Sequence, residues 1–255
     1  MLQSQLRIEG AFNSIMKRVA MVQSNYIPWK GYFDLINMVD EFILYDNVQY
    51  TIRGWRNRNL LKTSNGTQWL TIPVSHKPIH QAIREIQTVN DHWRLKHWKN
   101  ICHWYSKAAF FKTYKEILEE LYMGNKETYL SEINRTFIHA IMNILDIRTK
   151  ISRSGDYELI EGKTEKVVHL CKQTGATEFL SGPTAKAYTD ESLFAAEGIS
   201  VSWMSYEGYP EYRQLFCPPF IHNVTILDLI LNEGAEGAKR CMLSFKQNED
   251  ISRNG

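Results

Sequence analysis

The chain has 255 residues, 44% of them hydrophobic, and a formal charge of +2. That length and apolar share can bury a normal core as one large domain or two small ones, and the small charge gives no field to draw the chain onto nucleic acid or a membrane surface. No apolar run approaches the roughly 18–20 residues of a membrane-crossing helix. The four cysteines, Cys102, Cys171, Cys217 and Cys241, are widely spaced with no C-x-x-C pair, which excludes an ordinary zinc framework and fits a reduced, cytoplasmic compartment.

In chain order, residues 1–15 lack a signal-peptide apolar segment and read as a flexible extension. Residues 18–23 form a short apolar run, the mark of a strand buried on both faces. A polar, aromatic turn over residues 24–32 leads into an apolar helix, and residues 41–45 make a second strand that stops at Asp46. A loop with Arg53, Arg56 and Arg58 follows, then a third strand over 68–74 and a loop with His76, Pro78 and His80. Residues 82–89 alternate weakly as a strand, and Asn90-Asp91 supplies an N-cap. From about 91 to 145 the chain is helical and aromatic-rich, with helices over 113–123 and 127–145, the latter carrying Leu130, Ile133, Phe137, Ile138, Ile141 and Leu145 on one face. Strand and helix then alternate: a helix from Thr164 ending at Gly175, a strand over 178–181, a helix over 192–197 and a strand over 199–203. A late helix over 223–234 stops at a glycine, and residues 247–255 read as a disordered tail. The fold class this predicts is α/β: a Rossmann-like, mainly parallel sheet in a single domain over residues 16–246, with a helical insertion or cap.

Few residues look equipped for chemistry. Gly162-Lys163-Thr164 resembles the end of a phosphate-binding loop, but the upstream glycine and strand are missing, so it reads as a helix start. The histidines show no metal-ligand spacing, and neither Cys171, inside an apolar helix, nor Cys217, before two prolines, has an activating base in sight. The aromatic residues between 93 and 114 fill a core, with acyl-chain or sugar-ring stacking as the sharper use. The polar strand ends are the stronger candidates, because ligands bind at the carboxyl edge of open parallel sheets. Gln23, Ser24 and Asn25 can hold a ligand by neutral hydrogen bonds, and Gly31 at a helix start lets backbone approach a phosphate. Arg56, Arg58 and Lys62 lie along one loop and suit phosphate or carboxylate, or simply a solvated surface. Asp46 is a candidate base or amine-orienting carboxylate, or else a turn cap.

These residues also carry a resemblance. Q-x-N-Y-x-P-W-x-G-Y-F (23–33), D-x-F-I-x-Y-D-x-V-Q-Y (40–50), W-R-N-R-N (55–59) and W-L-T-I-P-V (69–74) resemble the WbqC-like family. So do L-S-G-P-x-A-x-x-Y (180–188), Y-P-E-Y-x-Q (209–214) and I-L-D-L-I-x-N-x-G (226–234). Ser24 stands where that family commonly has proline. The resemblance implies a bacterial protein encoded with surface-polysaccharide (O-antigen) genes, with acyl or aminoacyl transfer to an amino sugar as the suggested role. The expected function is an N-acyl- or aminoacyltransferase forming an amide on a nucleotide-linked amino sugar. It would have no tightly bound cofactor, and its acyl donor would be a coenzyme A thioester or an acyl carrier protein.

On this reading Asp46 is the base or amine holder and Gln23 or Asn25 orients the carbonyl. Arg56, Asn57, Arg58 and Asn59 hold phosphate or donor. Trp29, Gly31, Tyr32, Gln49 and Tyr50 line the pocket, and Gly182, Tyr188, Tyr212 and Asp228 contribute from the second half. A weaker fold-level similarity is to the nucleotidylyltransferase and pantothenate-synthetase superfamily, with Trp29-Lys30-Gly31-Tyr32 in place of H-x-G-H. It keeps open an adenylate-forming enzyme, and the basic loop keeps open a non-catalytic partner that binds a sugar nucleotide or a carrier protein.

Overall fold

A computed structural model describes residues 16–76 and 81–246. The expectations for residues 1–15 and 247–255, and for Pro78 and His80, lie outside the described residues. The elements run β1 (Arg18–Val22), α1 (Lys30–Asn37), β2 (Glu41–Leu44), β3 (Arg58–Thr63), β4 (Gly66–Thr71), β5 (Val74–Ser75), β6 (Gln87–Thr88), α2 (His92–Tyr105), α3 (Phe111–Met123) and α4 (Leu130–Ile144). They continue with β7 (Lys150–Arg153), α5 (Thr164–Thr174), β8 (Glu178–Ser181), α6 (Glu191–Ala196), β9 (Ser200–Trp203) and α7 (Ile226–Arg240).

The main sheet is five-stranded and parallel, ordered β7-β2-β1-β8-β9. The chain steps outward from β1 to β2 to β7, then returns to the other side of β1 for β8 and β9. With right-handed crossovers this puts the two sets of helices on opposite faces and leaves a switch point between β1 and β8. Side-chain alternation shows both faces. Ala20, Phe42, Leu44 and Leu180 pack with α1, α4 and α7 on one side, while Val19, Met21, Ile43 and Phe179 pack with α5 and α6 on the other. The aromatic helical segment, with Trp93, Tyr105, Tyr122 and Phe137 all buried, belongs to the first side.

Several local expectations are corrected. The basic loop is shorter than the charge pattern suggests, because residues 58–63 form β3 and pair antiparallel with β4. Lys62 is therefore a buried strand residue whose Nζ donates to Pro219 O at 2.6 Å. β7 is an edge strand whose K-I-S-R sequence has a single strongly apolar residue and so carries little pattern. Residues 82–89 form a 3-10 turn and the two-residue β6 rather than one strand. At the start of α2, Asn90 Oδ1 takes the His92 N–H at 3.0 Å, and Asp91 makes no capping bond. Gly234 does not end α7 but joins two helical pieces at φ 71°, where a Cβ would sit 2.7 Å from the Phe110 ring.

Candidate functional site

Two cavities open at the carboxyl edge of the main sheet. The larger, about 680 Å³, lies at the switch point between β1 and β8 and is lined by Gln23, Lys163, Lys166, Ser181, Gly182 and Tyr188 among others. The smaller, about 340 Å³, lies beyond β2 and β7, where Asp46 meets Arg84, Glu132, Arg135, Arg153 and Asp156. Both follow from the same local rule. Each central strand is apolar to its end and then turns polar, so the first side chains past the sheet face the crevice.

One hydrogen-bond network joins the two cavities. Ser24 N donates to Asp46 Oδ1 at 2.8 Å. Asn134, from the inward face of α4, donates through Nδ2 to Ser24 Oγ at 3.1 Å and to Arg56 O at 2.9 Å. Arg56 Nη2 donates to Gln23 Oε1 at 2.6 Å, and Tyr32 OH donates to Gln23 O at 3.1 Å. Asp46 is only 6% exposed. Burial pushes its pKa above the ordinary carboxylate range, and the Ser24 hydrogen bonds and the Arg56 charge only partly oppose that shift. Asn25 is half-buried beside this network, and its Oδ1 has no partner among the described residues.

Other expected ligands are spent on holding the chain. Asn57 Nδ2 donates to Ile72 O at 2.9 Å. Asn59 Nδ2 donates to Tyr26 O and Ile27 O at 3.0 and 2.9 Å, pinning a turn in which β-branched Ile27 adopts φ 37°. Arg58 parts company with Arg56: its guanidinium stacks 4.1 Å over the Trp69 ring and donates to Arg53 O. Gly31 leaves no room for a phosphate, because the Trp29 indole lies where its Cβ would be. Trp29 itself packs on Tyr206 and Tyr209. Gln49 is exposed, and Tyr50 is buried against His76. Asp228 is fully buried and accepts from Tyr105 OH and Gln214 Nε2, each at 2.8 Å, and from Tyr212 OH. That anchor ties the start of α7 to α2. Gly182 and Tyr188 do line the larger cavity.

Three features were missed in the sequence or set aside there, Lys163 as part of a helix start. Asn134 and Arg84 reach the site from distant segments with no local motif. Lys163 and Lys166 flank the start of α5 at the larger cavity. Lys30 is buried with Nζ 3.2 Å from His222 Nδ1 and 4.9 Å from the Tyr209 ring centre, and burial lowers its pKa. Its signal was a lysine set inside an aromatic turn. Among the described residues, no group of three His, Cys, Asp or Glu side chains could hold a metal ion, and no helix is long and apolar enough to cross a membrane.

Comparison with known proteins adds a family. The model described as "WbqC-like protein family" matches residues 23–240. The Mycobacterium tuberculosis protein Rv1507c, itself uncharacterized, is 50% identical over 222 residues, which span 87% of this chain and 96% of Rv1507c. No solved structure matches the chain significantly.

Proposed function

The chain belongs to the WbqC-like protein family, and on that premise we propose that it is an amide-forming N-acyl- or aminoacyltransferase. Its acceptor is a nucleotide-linked amino sugar of the kind used to build bacterial surface polysaccharide. The observation that carries this reading is the orientation of Gln23. Arg56 occupies Oε1 with a 2.6 Å bond, so Nε2 is the end left to donate at the switch-point crevice.

Amide formation needs a donor for the developing oxyanion, an acceptor for the amine's proton and a seat for the ligand's phosphates. Gln23 Nε2 serves the first. Asp46 suits the second, because burial raises its pKa and makes it a stronger base than an exposed carboxylate. Lys163 and Lys166 suit the third. The ammonium gives a proton to Asp46, and the free amine attacks the carbonyl of an acyl thioester of coenzyme A or a carrier protein. The C–N bond forms and the C–S bond breaks; the nitrogen gives up its second proton to the departing thiolate, and Asp46 returns the first to solvent. The scheme calls on no tightly bound cofactor.

The test is incubation of the purified chain with nucleotide-linked amino sugars and acyl thioesters, scored for amide by mass spectrometry. The expected result is an amide product that disappears in Gln23→Ala while nucleotide-sugar binding persists. Binding without reaction for any donor would instead make the protein a non-catalytic partner. Turnover of ATP alone would make it adenylate-forming.

A further inference from the structure

The smaller cavity carries three guanidinium groups and three carboxylates, and most of them answer one another. Arg135 pairs with Glu132 at 2.6 Å, and Arg153 pairs with Glu132 at 3.4 Å and with Asp156 at 3.2 Å. Two charges are left over. Asp46 accepts a hydrogen bond from Ser24 N but has no ion-pair partner among the described residues. Arg84 is engaged there through its backbone, whose N–H donates to Asp46 O at 3.0 Å, and its guanidinium makes no ion pair among the described residues. Both line the cavity, Asp46 as a buried residue and Arg84 as an exposed one. An isolated carboxylate out of water is costly, and a cation seated on it relieves that cost.

A plain amine would answer Asp46 and leave Arg84 unpaired; a plain carboxylate would do the reverse and would be repelled by Asp46. We infer that this cavity, about 340 Å³, seats a small zwitterion, its ammonium on Asp46 and its carboxylate on Arg84. The inference rests on the transferase reading in one respect: where the zwitterion is the nucleotide-linked one, its ammonium is the amine that is acylated. It narrows the acceptor to a ligand that carries a carboxylate a few bonds from its amine. Two sources supply that chemistry, a free α-amino acid and a nucleotide-linked aminouronic acid. The second reaches from one cavity to the other, whose linings meet where Ser24 N, next to Gln23, donates to Asp46.

Calorimetric titration of the full chain decides it. One arm compares L-alanine with L-alaninamide and propionate; the other compares UDP-glucosamine with its 6-carboxylate counterpart. The member of at least one arm that carries both the ammonium and the carboxylate should bind at least ~10-fold more tightly than the analogues lacking either group, and Arg84→Gln should erase that preference. Arg84 is exposed, so the variant is expected to fold, and its unchanged affinity for L-alaninamide or UDP-glucosamine would verify an intact site. The arm that shows the preference names the source. Equal binding within both arms, no binding of any zwitterion, or a preference that survives Arg84→Gln overturns the inference. The two readings fail separately. Zwitterion binding without amide formation sinks the transferase alone, whereas acylation of an amino sugar with no carboxylate preference sinks the zwitterion site alone.

Discussion

β2 has a carboxylate at each end, and the two behave in opposite ways. Glu41 opens the strand at the amino edge of the sheet, fully buried, and receives Lys17 Nζ at 2.8 Å, Lys150 Nζ at 3.0 Å, Ser152 Oγ at 2.8 Å and Tyr157 OH. Burial pushes its pKa up, but those bonds outweigh burial and hold it down at about 2. Asp46 follows the same strand at the carboxyl edge, is nearly as buried, and has no cation paired with it among the described residues. There burial wins and the pKa rises. Low surface exposure alone does not decide what a carboxylate is for; the depth of protein over it and the supply of donors around it decide together. A fully supplied carboxylate is a fastening, and an under-supplied one beside a cavity is available to a ligand.

Substitutions at the two ends should therefore separate activity from stability. The largest effect expected is in Asp46→Asn, where amide-forming turnover falls ~10²–10⁴-fold in a stopped assay while the urea unfolding midpoint does not drop. Next, Glu41→Ala leaves Lys17, Ser152 and Tyr157 facing an empty acceptor and lowers the unfolding free energy by ~3–5 kcal/mol in urea titration. If the two variants lost stability equally, the contrast between the ends would be gone.

The pH dependence should differ in sign. Glu41 has a folded pKa of about 2, below its ordinary 4.5, so its contribution is present above 4.5 and lost as pH falls toward 2. Glu41→Gln should flatten the acid limb of stability across that window. Asp46 has a folded pKa above its ordinary 3.8, so its contribution is full below 3.8 and lost as pH rises through the raised value. Asp46→Asn should thus be more stable than the parent at pH 7, with the gain absent at pH 3. Thermal melts at the two pH values check both signs. The smallest effect belongs to Lys150→Met. Lys150 is the exposed partner of Glu41, at 65% side-chain exposure, and its loss should cost no more than ~0.5 kcal/mol.

Much of this frame was legible in the chain. The apolar runs before Gln23 and Asp46 marked two central strands and the two polar ends that turn out to share one network. Alternating strand and helix after residue 150 marked the parallel half-sheet. The motif residues misled in a consistent way. Asn57, Asn59, Tyr212 and Asp228 are polar and lie in family-like motifs, yet their side chains satisfy buried carbonyls, a strained turn and a helix start. Buried backbone polar groups must be paired, and a motif does not distinguish a residue kept for that pairing from one kept for a ligand.

Sequence by itself determined the apolar periods, and through them the parallel α/β sheet, since an apolar run buried on both faces has few other places to go. It also determined that polar side chains would follow β1 and β2 at the carboxyl edge. Tertiary structure alone decided what those side chains could do. Asn134 reaches Ser24 across 110 residues, and Lys17, Lys150, Ser152 and Tyr157 converge on Glu41 while none of them reaches Asp46. In the sequence the two carboxylates are alike, each beside an apolar strand. They differ because a pKa is set by the charges and donors that folding brings within a few ångströms, and no local pattern records those.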